Sequence, residues 1–392
     1  DGSHWALSSG GSGSGCAPTF QDNVYFDANS FSSSGQTVSI SNGAADCKTI
    51  DWTGVTNDPT FDISDDLNVY GSLIFVTNMT LSASGSTNIN LKSTSSGNSV
   101  TLGGNALNAG LIFDGVGGEW DLLDSISLTN YYRYFSVSNG TLRTNGNGIS
   151  CGQFSVQNNS SVDLSSSNIT LYGYSCNVSS TNFDAGTSTI LLANSGGSFP
   201  GDFNSDNDFH NLVIESVNLQ HTVDGSGSFN RIEQRGNPDV LLRGGLNADS
   251  IIVSPGKTLK LSGTVTVNDY LELSGTSSSP TFLSGTGSND SLLVASGNLC
   301  FEYLTVSNVN AGGGATFNAR MGSVNSGGNY GWIFDPSSSC ILKTYVPDDN
   351  FEAYLETHDA SGNTVSVGDA NSMGDGIANN DSIWTSNISG VT

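Results

Sequence analysis

Arg231, Glu233 and Arg235, followed by Asp239 and Arg243, make the densest cluster of opposite charges in the chain. Successive side chains on a strand point to opposite faces, so this alternation would place Arg231, Glu233 and Arg235 on one face. A carboxylate flanked by basic groups on an exposed sheet is equipment for the acid/base cleavage of polysaccharides. Solvated ion pairs account for the same cluster without any reaction. No comparably dense second group of carboxylates accompanies it, so the chain is expected to be non-enzymatic. A carbohydrate-active enzyme, either a lyase or a glycosidase, is the alternative.

Two further groups could ligate a hard cation. Asp202, Asn204, Asp206 and Asp208, with His210 after them, alternate oxygen ligands in a way that suits Ca2+. Their spacing is like the start of an EF-hand loop, but the Gly and the distal Glu of that loop are missing. A polar turn with Asx bends explains the residues equally. Asp369, Asn371, Asp375 and Asp381 crowd a Gly-rich loop in which Met373 stands where a third ligand belongs, and a capping loop is the other reading. No cofactor is required; Ca2+ is the one ion these residues would suit. The histidines, His4, His210, His221 and His358, are scattered and lack the Ser or Cys context of a nucleophile.

Six cysteines, Cys16, Cys47, Cys151, Cys176, Cys300 and Cys340, stand too far apart for a zinc knuckle or a redox pair. An even number in an acidic, Lys-poor chain suggests disulfides and an oxidising exterior. Paired in sequence order they are separated by 31, 25 and 40 residues. The middle spacing would stack its sulfurs on neighbouring rungs of a repeat, and buried free thiols are the alternative.

The balance of 11 Lys+Arg against 36 Asp+Glu, a net charge of -25, repels phosphate backbones and excludes nucleic acid as an expected partner. There is no run of eighteen apolar residues, so no membrane insertion is expected. Neither is there a basic-then-apolar leader. The abrupt opening reads as the middle of a larger protein. Charged residues are only 12% of a chain with 49 Gly, while hydrophobic residues reach 36%, enough for a core.

Such residues need elements to carry them, and the elements are short strands. Thr37 to Ile40, Phe135 to Val137, Phe154 to Val156, Ile169 to Leu171, Leu259 to Leu261, Val265 to Val267 and Leu271 to Leu273 each alternate apolar and polar residues, the period of a half-buried strand. Turn residues such as Ser138-Asn139-Gly140 and Ser254-Pro255-Gly256 separate them. Ile169, Ile190, Leu212, Ile232, Ile252, Leu273 and Leu292 then recur at 21, 22, 20, 20, 21 and 19 residues. A β-sandwich has no reason to keep that register, whereas a solenoid stacks equivalent positions into internal ladders. The expected fold is all-β, a right-handed parallel β-helix, with a β-rich cap over 1–60 and coils over 61–335.

After Trp332-Ile333-Phe334 the texture changes. Residues 336–344 read as a linker, and Val346 to Glu356 as the one helix, with Asp348 or Asp349 as N-cap and Phe351, Tyr354 and Leu355 on one face. Residues 345–392 are too short for a domain and are expected to begin a further module.

Asp1 to Trp5, Leu7 to Gly11, Asp22 to Phe31, Asp51 to Gly54, Phe183 to Ile190 and Gly312 to Phe334 resemble phrases from the β-helical repeat regions of very large surface proteins of Bacteroidota. The resemblance covers roughly 1–335. Tyr345 to Leu355 and Asn387 to Thr392 are similar to the N-terminal cap of leucine-rich repeat modules in such proteins. The resemblance implies a structural or adhesive segment, export by the type IX secretion system, and a secreted or cell-surface location. It further implies outer-membrane secretion machinery as a partner during export, and surface glycans or other surface proteins afterwards; cargo bound to that machinery is a third reading. Asp124-Ser125-Ile126, Asp249-Ser250-Ile251, Asp290-Ser291-Leu292 and Asp381-Ser382-Ile383 resemble the Asp-Ser/Thr-apolar sequon glycosylated in that phylum, making Ser125, Ser250, Ser291 and Ser382 candidate acceptors.

Overall fold

Runs of alternating apolar residues, three or four long and punctuated by Gly and Asn, can bury their apolar faces only by stacking on copies of themselves. They do so here. The computed structural model describes residues 4–13, 15–84, 86–130, 132–193, 201–217, 220–237, 239–340 and 343–388. The ends of two of the resembling phrases, residues 1–3 and 389–392, lie outside them. The fold is an all-β parallel solenoid with very little helix. Every run singled out above lies in or at the end of a strand.

The chain divides into two units, residues 1–210 and 211–392. In the first, parallel pairing begins at Val24–Tyr25 against Ile50 and Asp51, well inside the stretch read as a cap. Its interior is a set of ladders. Leu67 lies against Ile89, then Leu111, Phe135, Phe154, Cys176 and Phe203 in successive coils, all buried. The Phe135 and Phe154 rings stack along this ladder at 5.9 Å, and the Phe113 ring, from the neighbouring ladder through Val137, tilts against Phe135 at 5.3 Å. Ile126, Ile149, Ile169 and Ile190 form a second ladder.

In the second unit Val240, Leu259, Leu283 and Val306 make one ladder, and Leu246, Val265 and Leu292 another. Here the expected twenty-residue register slips by one position and then by two. Ile232 lies against Ile251, not Ile252, and then against Leu271, not Leu273, while Leu292 belongs to the Val265 ladder. Adjacent apolar residues such as Ile251-Ile252 made the phase ambiguous, and a register shift between Ala248 and Ser250 breaks strict periodicity. Turn chemistry stacks as well. Gly244 and Gly263 occupy the same position with φ of 93° and 109°, and a Cβ on Gly263 would meet the Gly244 carbonyl oxygen at 2.9 Å. Only glycine suits that column.

Beyond the coils, Lys343–Tyr345 pairs antiparallel with Ser382–Trp384, so this module starts inside the stretch read as linker. Helix α1 spans Asp349–Thr357, and the Asp348 carboxylate caps it by accepting the Phe351 N–H at 2.9 Å. A short helix α2, Thr385–Ile388, follows. Val346, Leu355, Met373 and Ile383 form the module's small core. Of the expected apolar face of α1 only Leu355 is buried: Phe351 is 54% exposed and Tyr354 44%, whereas Glu352 and Glu356 are fully buried. Among the described residues no helix is long and apolar enough to cross a membrane.

Candidate functional site

The strand Ser228–Gln234 turns Phe229, Ile232 and Gln234 inward and leaves Arg231 and Glu233 on the outer face, as alternation requires. Glu233 is held between two guanidinium groups. Arg235 donates to it through Nε at 2.6 Å and Nη2 at 2.9 Å, and Arg231 Nη1 lies 3.8 Å away. Arg235 also donates to Glu215 at 2.9 Å. The hydrogen bond to Glu233 raises the Arg235 guanidinium above its ordinary range. A carboxylate committed to a bidentate ion pair is a poor general base. Neighbouring charges close similarly, Arg243 on Asp224 at 3.2 Å and Lys260 on Asp239 at 2.6 Å.

Most of these bonds run from one coil to the next. Asn90 donates to Asn68 and Asn68 to Asp46; Asn139 donates to Asp114, Arg143 to Glu119, Lys257 to Asn237 and Asn268 to Asp249. The outer polar side chains within each unit thus form ladders parallel to the apolar ones inside.

The two candidate cation sets do not assemble as expected. Asp202 and Asn204 point outward from the strand Gly201–Ser205, and Asp206 and Asp208 lie exposed in the turn beyond it. In the second set Asp369 closes an Asx turn onto the Asn371 N–H, and the buried Asp375 carboxylate accepts from Lys343 Nζ at 2.5 Å and from Asn380 and Ser382. Asp381 faces elsewhere and accepts the Ser250 hydroxyl at 3.0 Å. Among the described residues the one convergent acidic group is Asp349, Glu352 and Asp381, with oxygens within 4.8 Å of one another. Two of its carboxylates already have partners: Glu352 accepts the N–H groups of Asn380 and Asp381, and the Arg231 guanidinium acts on Asp381. These carboxylates are walls of a joint.

One disulfide joins Cys300 and Cys340. The other two expected bridges are absent: Cys16 is an exposed thiol, and Cys47, Cys151 and Cys176 are buried thiols. The register gives the reason for the middle pair. Cys151 lies against Leu171 and Cys176 against Phe154, two different positions of the rung. Burial pushes the Cys47 and Cys151 thiols up to about 12.

Of the sequon serines, Ser125 is exposed and Ser291 half-buried, whereas Ser250 and Ser382 are buried and cannot carry a glycan in the folded chain. The aspartates have a structural use. Asp124 accepts the Leu102 and Gly104 N–H groups of the preceding coil at 3.0 and 2.9 Å, and Asp290 accepts those of Gly263 and Gly287, both at 2.7 Å.

Sequence reasoning missed the place where the module meets the coils. Arg231, Ser250 and Tyr270 occupy one outer column on successive strands. Against it lie Asp381 on Ser250 and the Tyr345 ring stacked on Tyr270 at 4.9 Å. Glu352 and Glu356 are buried because the loop folded over α1 has N–H groups to satisfy. Glu356 accepts those of Asp375 and Gly376, as Glu352 does those of Asn380 and Asp381. The one visible signal was the density of Gly, Asn and Asp over 368–381, which announces backbone in need of acceptors.

No family model, no curated protein and no solved structure matches the chain.

Proposed function

We propose that the chain is a non-catalytic, stiffening or adhesive segment of a large secreted or cell-surface protein. One observation carries this reading: the outward polar side chains bond to their counterparts one coil away, from Asn90 through Asn68 to Asp46 and from Arg235 to Glu215. A surface spent on coil-to-coil bonds resists bending and shear, and it leaves the flank as a support for other contacts. Export by the type IX system, and the reading of residues 345–392 as the start of a leucine-rich repeat module, rest on the resemblance of the phrases quoted above.

The alternative, a polysaccharide lyase or glycosidase, needs Arg231, Glu233 and Arg235 in an open groove. Glu233 is instead bidentate with Arg235, and Arg231 faces the C-terminal module. Incubation of the purified chain with a panel of acidic and neutral polysaccharides tests the choice. The proposal expects no unsaturated or reducing ends above a boiled control; their release, lost in Glu233→Gln, would overturn it. Co-purification with outer-membrane translocon components would favour the cargo reading.

A further inference from the structure

The joint between the C-terminal module and the coil flank has an unusual charge balance. From the coils come Arg231, Asp249 and Asp269; from the module come Asp349, Glu352 and Asp381, with Tyr345 between them. Five carboxylates therefore share a single guanidinium, and Arg231 is already drawn toward Glu233 at 3.8 Å. The remaining nearby charges are committed: Lys343 to Asp375, Glu356 to the loop N–H groups, and Glu272 to the Tyr270 hydroxyl at 3.2 Å.

The joint's best-defined contacts among the described residues are the Ser250 to Asp381 hydrogen bond and the Tyr270 to Tyr345 stack, with Arg231 and Ser250 beside the Tyr345 hydroxyl. Arg231 Nε and the Tyr345 hydroxyl are buried there without a hydrogen bond of good geometry. The Cys300 to Cys340 disulfide would keep the module tethered even when that hold is lost.

We propose that this joint is a proton-dependent clamp, in which like-charged carboxylates facing one another across the module and the coil flank close it in acid and loosen it toward alkaline pH. Burial first, and the neighbouring aspartates after it, raise Asp381 and Asp269 above the ordinary carboxylate range, while the Ser250 hydroxyl holds Asp381 back in part. A carboxyl raised by docking binds its proton more tightly when docked. Docking is therefore favoured below the ordinary carboxylate value and weakens as pH rises through the raised ones. Arg231 opposes the effect only at Asp381.

Hydroxyl-radical footprinting of the whole chain, between about pH 4 and about pH 8 in EDTA, tests this with two internal probes. Tyr270, 6% exposed, lies in the joint, and Met373, 6% exposed, lies in the module's own core. Oxidation of Tyr270 is expected to rise severalfold toward pH 8 relative to the exposed Tyr25, while Met373 stays protected. Asp269→Asn and Asp381→Asn, the latter at a positive φ that Asn adopts readily, are each expected to reduce that rise. The clamp is refuted if Tyr270 stays protected at every pH, if both asparagine variants leave its pH response unchanged, or if Met373 opens together with Tyr270. The last outcome means that the module melts and does not undock.

Discussion

Removing the disulfide by Cys300→Ser with Cys340→Ser should loosen the last coils while leaving the first unit intact. The bridge closes a loop spanning 40 residues, and the strands from Leu304–Ser307 to Trp332–Phe334 lie inside it. For a loop of that length the chain-entropy relation gives about 4 kcal/mol at ~25 °C. The variant is thus expected to lose these coils at a lower denaturant concentration than the parent. The assay is a urea titration read by footprinting at buried Phe317 in the last coils, with buried Phe135 as a reference for the first unit. An earlier transition at Phe317, absent from the parent, is the expected result. A loss under about 1 kcal/mol, the size of an exposed ion pair, would refute the reasoning.

Phe135→Ala removes a ring packed against both Phe113 and Phe154 and should cost about 3–5 kcal/mol in thermal or chemical denaturation of the first unit. Arg243→Ala, which breaks the exposed pair with Asp224, should change stability by no more than about 1 kcal/mol in the same titration. A thiol reagent followed by intact-mass measurement should add one group to the native chain, at Cys16, and further groups at Cys47, Cys151 and Cys176 only after denaturation. Burial raises the Glu356 carboxyl, so its contribution favours the folded module in acid and fades as pH rises through the raised value. Glu356→Gln should accordingly flatten the pH dependence of the urea concentration at which the module unfolds, read at Met373.

The solenoid was legible because its signal is redundant: many short runs each declare the same period, and an error in one is outvoted. The phase within a coil was not, since Ile251 and Ile252 offer equal claims and only the register shift before Ser250 decides between them. The cysteines misled for a related reason. A spacing near one coil says that two residues are on adjacent rungs, but not that they share a rung position, and Cys151 and Cys176 do not. The face of α1 was misread because apolar periodicity normally names the buried side. Here the loop above the helix needed acceptors more than it needed apolar cover, and Glu352 and Glu356 took the inner positions. The joint on Ser250 was beyond reach, because Asp381 lies 131 residues further along the chain.

The aspartates that precede the Ser-apolar strand starts have a consequence for how such a chain can change length. Asp124 bonds the turn of the coil before it, and Asp290 bonds the N–H of Gly263 in the same manner. These two coils are therefore keyed to the coils before them. Loss of one residue inside a coil would reverse which side chains face inward and pull its key out of the adjacent lock. Loss or duplication of a whole coil would bring an equivalent key to an equivalent lock. Length in this molecule comes in discrete steps, each one turn of chain tall, and a lineage can lengthen or shorten its reach by copying whole steps without redesigning any of them.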